Sequence, residues 1–197
     1  MASTYTPTSE SEKAVLAPEV RAPSRSFALA DVILRFLLFA SGLVAVVVMI
    51  TSKQTELVPI PMPPFVRIPR SANFNHSPAF IYFVAALSVA GIYGLITTLI
   101  SFFSLLKVAR GSKLVFHFVI FDVLLLGIVA AATGSAGAVA YLGLKGNSHV
   151  QWRKICHVYG DFCKHIGSSV AVSLFGSIVL VLLILLSVYA LSKRIPK

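Results

Sequence analysis

Four long apolar blocks, separated by polar segments, dominate the pattern of hydrophobic and polar positions along the chain. The blocks cover residues 27–50, 79–106, 114–142 and 168–191. Each is longer than the roughly 20 apolar residues with which a helix crosses a hydrocarbon core of about 30 Å. The strands of a membrane barrel would be about 10 residues long and would alternate. The pattern therefore predicts an all-α membrane protein, a bundle of four transmembrane helices.

Composition and charge narrow the class of protein further. Hydrophobic residues make up 57% of the 197 residues and charged residues only 12%, whereas a soluble domain carries about 25% charged residues. A soluble enzyme and a disordered chain are therefore excluded. The net charge of +10 comes from basic residues in the links between the apolar blocks, where membrane proteins ordinarily carry them. The charge does not indicate nucleic-acid binding.

Four spans place both chain ends on one side of the membrane, and basic residues close to span ends set the orientation. We expect both termini to be cytoplasmic, with a disordered tail over residues 1–26, a link over 107–113 and a short tail over 192–197. Residues 51–78 and 143–167 then form the extracellular loops. The basic residues that favour this orientation lie in the link and at the C-terminal end: Lys107, Arg110, Lys113, Lys193, Arg194 and Lys197.

The first extracellular loop is rich in proline, which predicts an extended and irregular segment. It contains the glycosylation sequon Asn75-His76-Ser77. Because Asn75 stands four residues before the second span and Pro78 follows the sequon, we expect the site to be empty. The second loop holds both cysteines and the only tryptophan. It is the better candidate for a recognition surface.

Two charged residues fall inside the apolar blocks. Arg35 lies eight residues after Phe27, and Asp122 lies eight residues after Leu114. At 1.5 Å per residue both are about 12 Å from the cytoplasmic starts of parallel spans. A charge in the bilayer normally faces a partner, so the sequence favours an ion pair between Arg35 and Asp122. The alternative is that Arg35 pairs with Asp31, four residues earlier on its own helix.

Rows of small residues at helical spacing mark three of the spans. Such rows let helix backbones approach closely in lipid. They predict helix packing, either within the bundle or between two copies of the protein, and the sequence does not divide these roles. The residues are Ala86, Ala90 and Gly94 in the second span, Ala130, Gly134 and Ala138 in the third, and Ser169, Ser173 and Ser177 in the fourth.

The two cysteines, Cys156 and Cys163, lie together in the predicted extracellular loop. Two cysteines on the oxidising side favour a disulfide. A metal site that also used His157 and His165 is the competing interpretation, but zinc ligands usually come as tight pairs such as C-x2-C. No motif of phosphate-binding or hydrolytic enzymes occurs in the chain. The sequence thus predicts neither catalysis nor a cofactor.

These features together resemble the CASP-like proteins of plants, relatives of the Casparian strip membrane domain proteins. The resemblance rests on the arginine early in the first span, the aspartate in the third, and the cysteine-bearing loop before the fourth. Residues 77–86, Ser-Pro-Ala-Phe-Ile-Tyr-Phe-Val-Ala-Ala, and the stretch 146–163 with its single tryptophan are also similar. The similarity covers residues 26–191 and suggests the first CASP-like subgroup. It maps the family's charged pair and loop cysteines onto Arg35, Asp122, Cys156 and Cys163.

The resemblance implies a plasma-membrane protein that forms homodimers, heterodimers and larger arrays. The founding members build membrane scaffolds that recruit wall-modifying enzymes and direct lignin deposition. Here residues 60–67 lack the aromatic motif that those members carry in the first loop. We therefore expect a non-enzymatic scaffold whose partners are itself, its relatives, the lipid bilayer and extracellular wall components or enzymes. The alternative function is a subunit of a transporter or channel, with Arg35 and Asp122 lining its path.

Overall fold

The computed structural model describes residues 25–59, 67–107 and 112–193. Its four helices are α1 (Arg25–Thr51), α2 (Pro78–Lys107), α3 (Ser112–Lys145) and α4 (Gly160–Ser192). All four are long and apolar enough to cross a membrane. The predicted all-α, four-helix membrane fold is therefore confirmed. Almost all of the 1–26 tail, most of the 107–113 link and residues 194–197 lie outside the described residues.

The helices form a closed bundle in which α1 packs against α2 and α4, and α3 packs against the same two helices. Helices that are consecutive in the chain are neighbours in the bundle, the arrangement of an up-down-up-down bundle. The core is built from one apolar side of each helix, because the remaining apolar positions face lipid. Representative core residues are Leu38, Met49, Phe83, Val129 and Leu183, each at most 2% exposed.

The first loop differs from its prediction. Strands β1 (Lys53–Pro59) and β2 (Arg67–Asn73) pair as an antiparallel hairpin, so the expectation of an irregular segment is wrong for these residues. Prolines are tolerated because each strand is an edge of a two-stranded sheet. Oppositely charged Glu56 and Arg70 are partners in the register of the pair. Pro61, Pro63 and Pro64 lie outside the described residues.

The fourth helix also extends beyond its predicted span. It begins at Gly160, eight residues before the apolar block. The apolar pattern marks only the part of a helix that lipid can cover. The two additional turns of α4 precede that part, at the N-terminal end of the helix. As a result Cys163 lies on α4, and the loop between α3 and α4 shrinks to residues 146–159.

Candidate functional site

A cluster of charged and polar side chains lies buried in the bundle. Arg35 and Asp122 are fully buried, and Asp31 is 6% exposed. The guanidinium of Arg35 contacts both acids: Nε lies 3.1 Å from Asp31 Oδ1 and Nη2 lies 3.3 Å from Asp122 Oδ2. The two pairings left open by the sequence thus coexist. One arginine links a carboxylate on its own helix to one on α3.

Helix α2 completes this cluster with two hydroxyl donors. Tyr93 Oη donates to Asp122 Oδ1 over 2.7 Å, and Ser101 Oγ donates to Asp31 Oδ2 over 2.9 Å. Hydrogen bonds to charged groups are about twice as strong as neutral ones. The cluster therefore joins three helices by charge-assisted contacts, although the sequence pattern had pointed to two.

The outer side of the guanidinium is covered by an aromatic ring. Cζ of Arg35 lies 4.5 Å from the ring centroid of Phe118, a cation–π geometry. Within the described ranges, Arg35 Nη1 is the single buried side-chain nitrogen or oxygen without a hydrogen-bond partner. Two cavities, one lined by residues such as Leu29 and Phe102 and one by residues such as Tyr141 and Ile155, are not lined by any of the three charged residues. The contacts of the cluster join α1, α2 and α3.

The row of small residues on α2 packs inside the bundle. On α2, Ala86 and Ala90 are buried, and a Cβ added at Gly94 would lie 3.1 Å from the backbone nitrogen of Phe39. Helices α1 and α2 therefore approach backbone to backbone near Gly94. This contact explains why a small residue is needed at that position.

The serine row of α4 also faces inward. Ser169 Oγ donates to the carbonyl oxygen of Ala45 over 2.6 Å, and the hydroxyls of Ser173 and Thr133 lie 3.0 Å apart. Ser177 Oγ donates to the carbonyl of Ser173 on its own helix. These hydroxyls form hydrogen bonds within α4 and to neighbouring helices, so the row does not form a polar path along the bundle.

The small row of α3 faces outward. Ala130, Gly134 and Ala138 are all exposed on the lipid side of the bundle. A Cβ added at Gly134 would meet no atom within 4 Å. We call these three residues the α3 stripe. The structure thus separates the rows into two that pack the bundle and one that faces away from it.

The hairpin and the cysteine loop meet at one end of the bundle. Gln54 Oε1 accepts a hydrogen bond from the backbone N–H of Phe162 over 2.9 Å, in the first turn of α4. Tyr159 Oη donates to the carbonyl oxygen of Arg70 over 3.1 Å. A side chain of β1 thereby satisfies a helix N-terminal donor that has no partner within α4. We call the combined surface of residues 52–59, 67–77 and 145–165 the loop platform.

A disulfide between Cys156 and Cys163 closes the loop platform over the ends of α3 and α4. The backbone N–H groups of Ile155 and Cys156 both donate to the carbonyl oxygen of Gly143, which ties the loop to the last turns of α3. With both cysteines so joined, the residues proposed for a metal do not assemble. Within the described ranges no three histidine, cysteine or acidic side chains are placed to hold an ion.

The loop platform is positively charged. Its described residues include two acids, Glu56 and Asp161. Asp161 forms an ion pair with Lys164, in which Lys164 Nζ lies 3.1 Å from Asp161 Oδ1. Asn75 of the sequon is exposed within a single 3-10 turn, Phe74–His76. The basic residues are all exposed, and they are Lys53, Arg67, Arg70, Lys145, Arg153, Lys154 and Lys164.

Comparison with known proteins extends these observations. A family model described as the Casparian strip membrane protein domain matches residues 24–179. The chain is 54% identical to CASP-like protein 1D1 of Populus trichocarpa over 197 residues, the full length of both proteins. It is 60% identical to CASP-like protein 1D2 of Glycine max over 85% of each chain, and 58% identical to CASP-like protein IN26 of Ipomoea nil over 89% of this chain and 91% of that one. No solved structure matches it.

Proposed function

Because the chain belongs to the CASP-like family of plant membrane proteins, we propose that it is a non-enzymatic scaffold of the plasma membrane. Copies of the chain associate through the α3 stripe and form a membrane domain. The loop platform presents a basic surface to wall components or to proteins that modify the wall. Related family members associate with this chain in the same way, since their membrane helices would be similar.

The outward position of the α3 stripe is the observation that carries this proposal. In lipid, helices associate by close packing rather than by a hydrophobic drive, and small residues at four-residue spacing allow that packing. The small rows of α2 and α4 already serve contacts within the bundle. The row at Ala130, Gly134 and Ala138 is exposed, and in the described part of the chain no atom lies within 4 Å of a Cβ added at Gly134. This exposed surface suits a second copy of the chain.

The charge of the loop platform supports the recruitment part of the proposal. Seven basic residues against two acidic ones give its described residues a formal charge of +5. A surface of one sign attracts partners of the opposite sign and speeds their encounter. Exposed apolar side chains stand among these charges, notably Leu57, Val150 and Trp152. An acidic wall polymer or an acidic face of a wall enzyme fits this combination.

The alternative function, a transporter or channel subunit, has less support. A conducting path needs polar groups in succession along several helices. The serines of α4 instead bond to neighbouring backbone and hydroxyl groups, and Arg35 is held between two carboxylates. The buried charges therefore have a structural use that does not require transport.

Photobleaching of a fluorescent fusion in plant plasma membrane tests the proposal. We expect slow and incomplete recovery for the natural chain, and faster, fuller recovery for Gly134→Leu, because a bulky side chain separates the packed helices. Ala171→Leu on the exposed face of α4 is the matched control and should recover as the natural chain does. Rapid, complete recovery of the natural chain would contradict self-association.

A further inference from the structure

An apolar cavity of about 340 Å³ lies between α3 and α4 beneath the loop platform. Small-molecule sites in proteins have volumes of roughly 300–1,000 Å³ and mostly apolar walls. Three lining residues, Tyr141, Leu144 and Ile155, are 62%, 55% and 50% exposed. The cavity therefore opens sideways at the loop end of the membrane helices, where a lipid could enter.

Glycines form part of the wall of this cavity. Three glycines line it, and a Cβ added at Gly167 would meet nothing within 4 Å. At Gly137 and Gly143 the nearest atoms to such a Cβ are Val170 Cγ1 at 3.8 Å and Cys156 Sγ at 3.6 Å. The disulfide closes the loop end of the cavity, since both cysteines line it. The exposed backbone at these glycines leaves room for a rigid apolar ring system to lie close against the helices.

A short sequence pattern at the same place favours one class of apolar molecule. Residues 139–145 read Val-Ala-Tyr-Leu-Gly-Leu-Lys. This stretch fits the sterol-contact pattern of Val or Leu, then Tyr, then Lys or Arg, each separated by one to five residues. Val139 and Tyr141 both line the cavity, and exposed Lys145 follows at the end of α3. Two of the three positions of the pattern thus line the cavity itself.

We propose that this cavity binds a membrane sterol. The ring system lies against the backbone at Gly137 and Gly167, and the sterol hydroxyl points toward the loop end, near Lys145. An acyl chain of a phospholipid could enter the same apolar walls but would not need a planar surface. The site is separate from the α3 stripe and from the buried charge cluster, so it adds a binding function to the proposed scaffold.

Photolabelling of the full chain with a diazirine-bearing sterol tests this assignment. The protein is reconstituted in phosphatidylcholine nanodiscs, and labelled peptides are identified by mass spectrometry. We expect labels within residues 137–170 that excess unlabelled sterol displaces. Gly167→Leu should weaken labelling roughly tenfold or more, because single methylenes in an apolar pocket already change binding by 10–200-fold.

Two further variants separate a lost site from a lost fold. Ala171→Leu lies one turn deeper on the same helix, outside the cavity lining, and should label as the natural chain does. Tyr141→Ala removes a mostly exposed side chain and should reduce labelling without affecting folding. Equal labelling of Gly167→Leu and Ala171→Leu would overturn the proposal. Equal labelling of the same peptides by a photoreactive acyl-chain probe would overturn it as well.

Discussion

Replacing Arg35 by methionine is expected to destabilise the bundle by at least about 2.5–3.5 kcal/mol, the cost of an uncompensated charge within the bilayer. The substitution keeps most of the side-chain volume but removes the cation that holds Asp31 and Asp122. Asp122 would then be a fully buried carboxylate to which, among the described residues, the hydroxyl of Tyr93 alone still donates. Thermal denaturation of a fluorescent fusion, followed by size-exclusion chromatography, measures the loss.

A second substitution in the same chain tests the cause of this loss. Adding Asp122→Asn to Arg35→Met should restore part of the stability, since Asp122 is then no longer a buried charge left without its partner. The restoration is partial because Asp31 also loses its contact with Arg35. The exposed pair Lys164–Asp161 is the control, because Lys164→Met should change stability by less than about 1 kcal/mol. If the double variant loses as much as the two single variants together, Arg35 and Asp122 are not energetically coupled.

Replacing Gly94 by leucine is expected to disrupt the contact between α1 and α2. A Cβ at this position would lie 3.1 and 3.3 Å from the backbone nitrogen and Cα of Phe39. Backbone atoms cannot move aside by changing rotamer, so the whole helix must shift. We expect a loss of about 3 kcal/mol, at the upper end of the cost of overpacking, measured by the same thermal assay.

Gly134→Leu is the matched control for the substitution at Gly94. Both positions are glycines within a membrane helix, but a Cβ at Gly134 meets no atom within 4 Å. The monomer in detergent should therefore keep its thermal stability when Gly134 is replaced. Equal destabilisation by the two leucines would mean that helix propensity or lipid contact, rather than the α1–α2 approach, decides the result.

The membrane fold could be predicted because lipid imposes a simple rule on sequence. Every residue of a span must be tolerated by hydrocarbon, so the four helices appear as continuous apolar blocks. Arg35 and Asp122 could be related for a similar reason, since two costly charges at equal depth suggest a shared contact. The aqueous segments follow no such rule, and the sequence pattern missed the β1–β2 hairpin and the first two turns of α4.

Other parts of the site depend on contacts that the sequence pattern did not reveal. Tyr93 and Ser101 complete the charge cluster, and their spacing of eight residues on one face of α2 was the available signal. The direction of each small-residue row could not be predicted, because a row suits the inside of a bundle and the contact between two bundles equally well. The cavity beneath the disulfide depends on how α3 and α4 pack against each other, which only the assembled helices determine.

The most direct test of the scaffold proposal is cross-linking through the α3 stripe in native membranes. Both natural cysteines are joined in a disulfide, so Gly134→Cys supplies one free thiol. Leu174→Cys is the control: it is exposed on α4 and lies at the same depth, since the neighbouring Ser173 contacts Thr133. The proposal predicts a dimer-sized product, formed on oxidation and lost on reduction, from Gly134→Cys and not from Leu174→Cys. Absence of that product, or equal products from both variants, would contradict association through the α3 stripe.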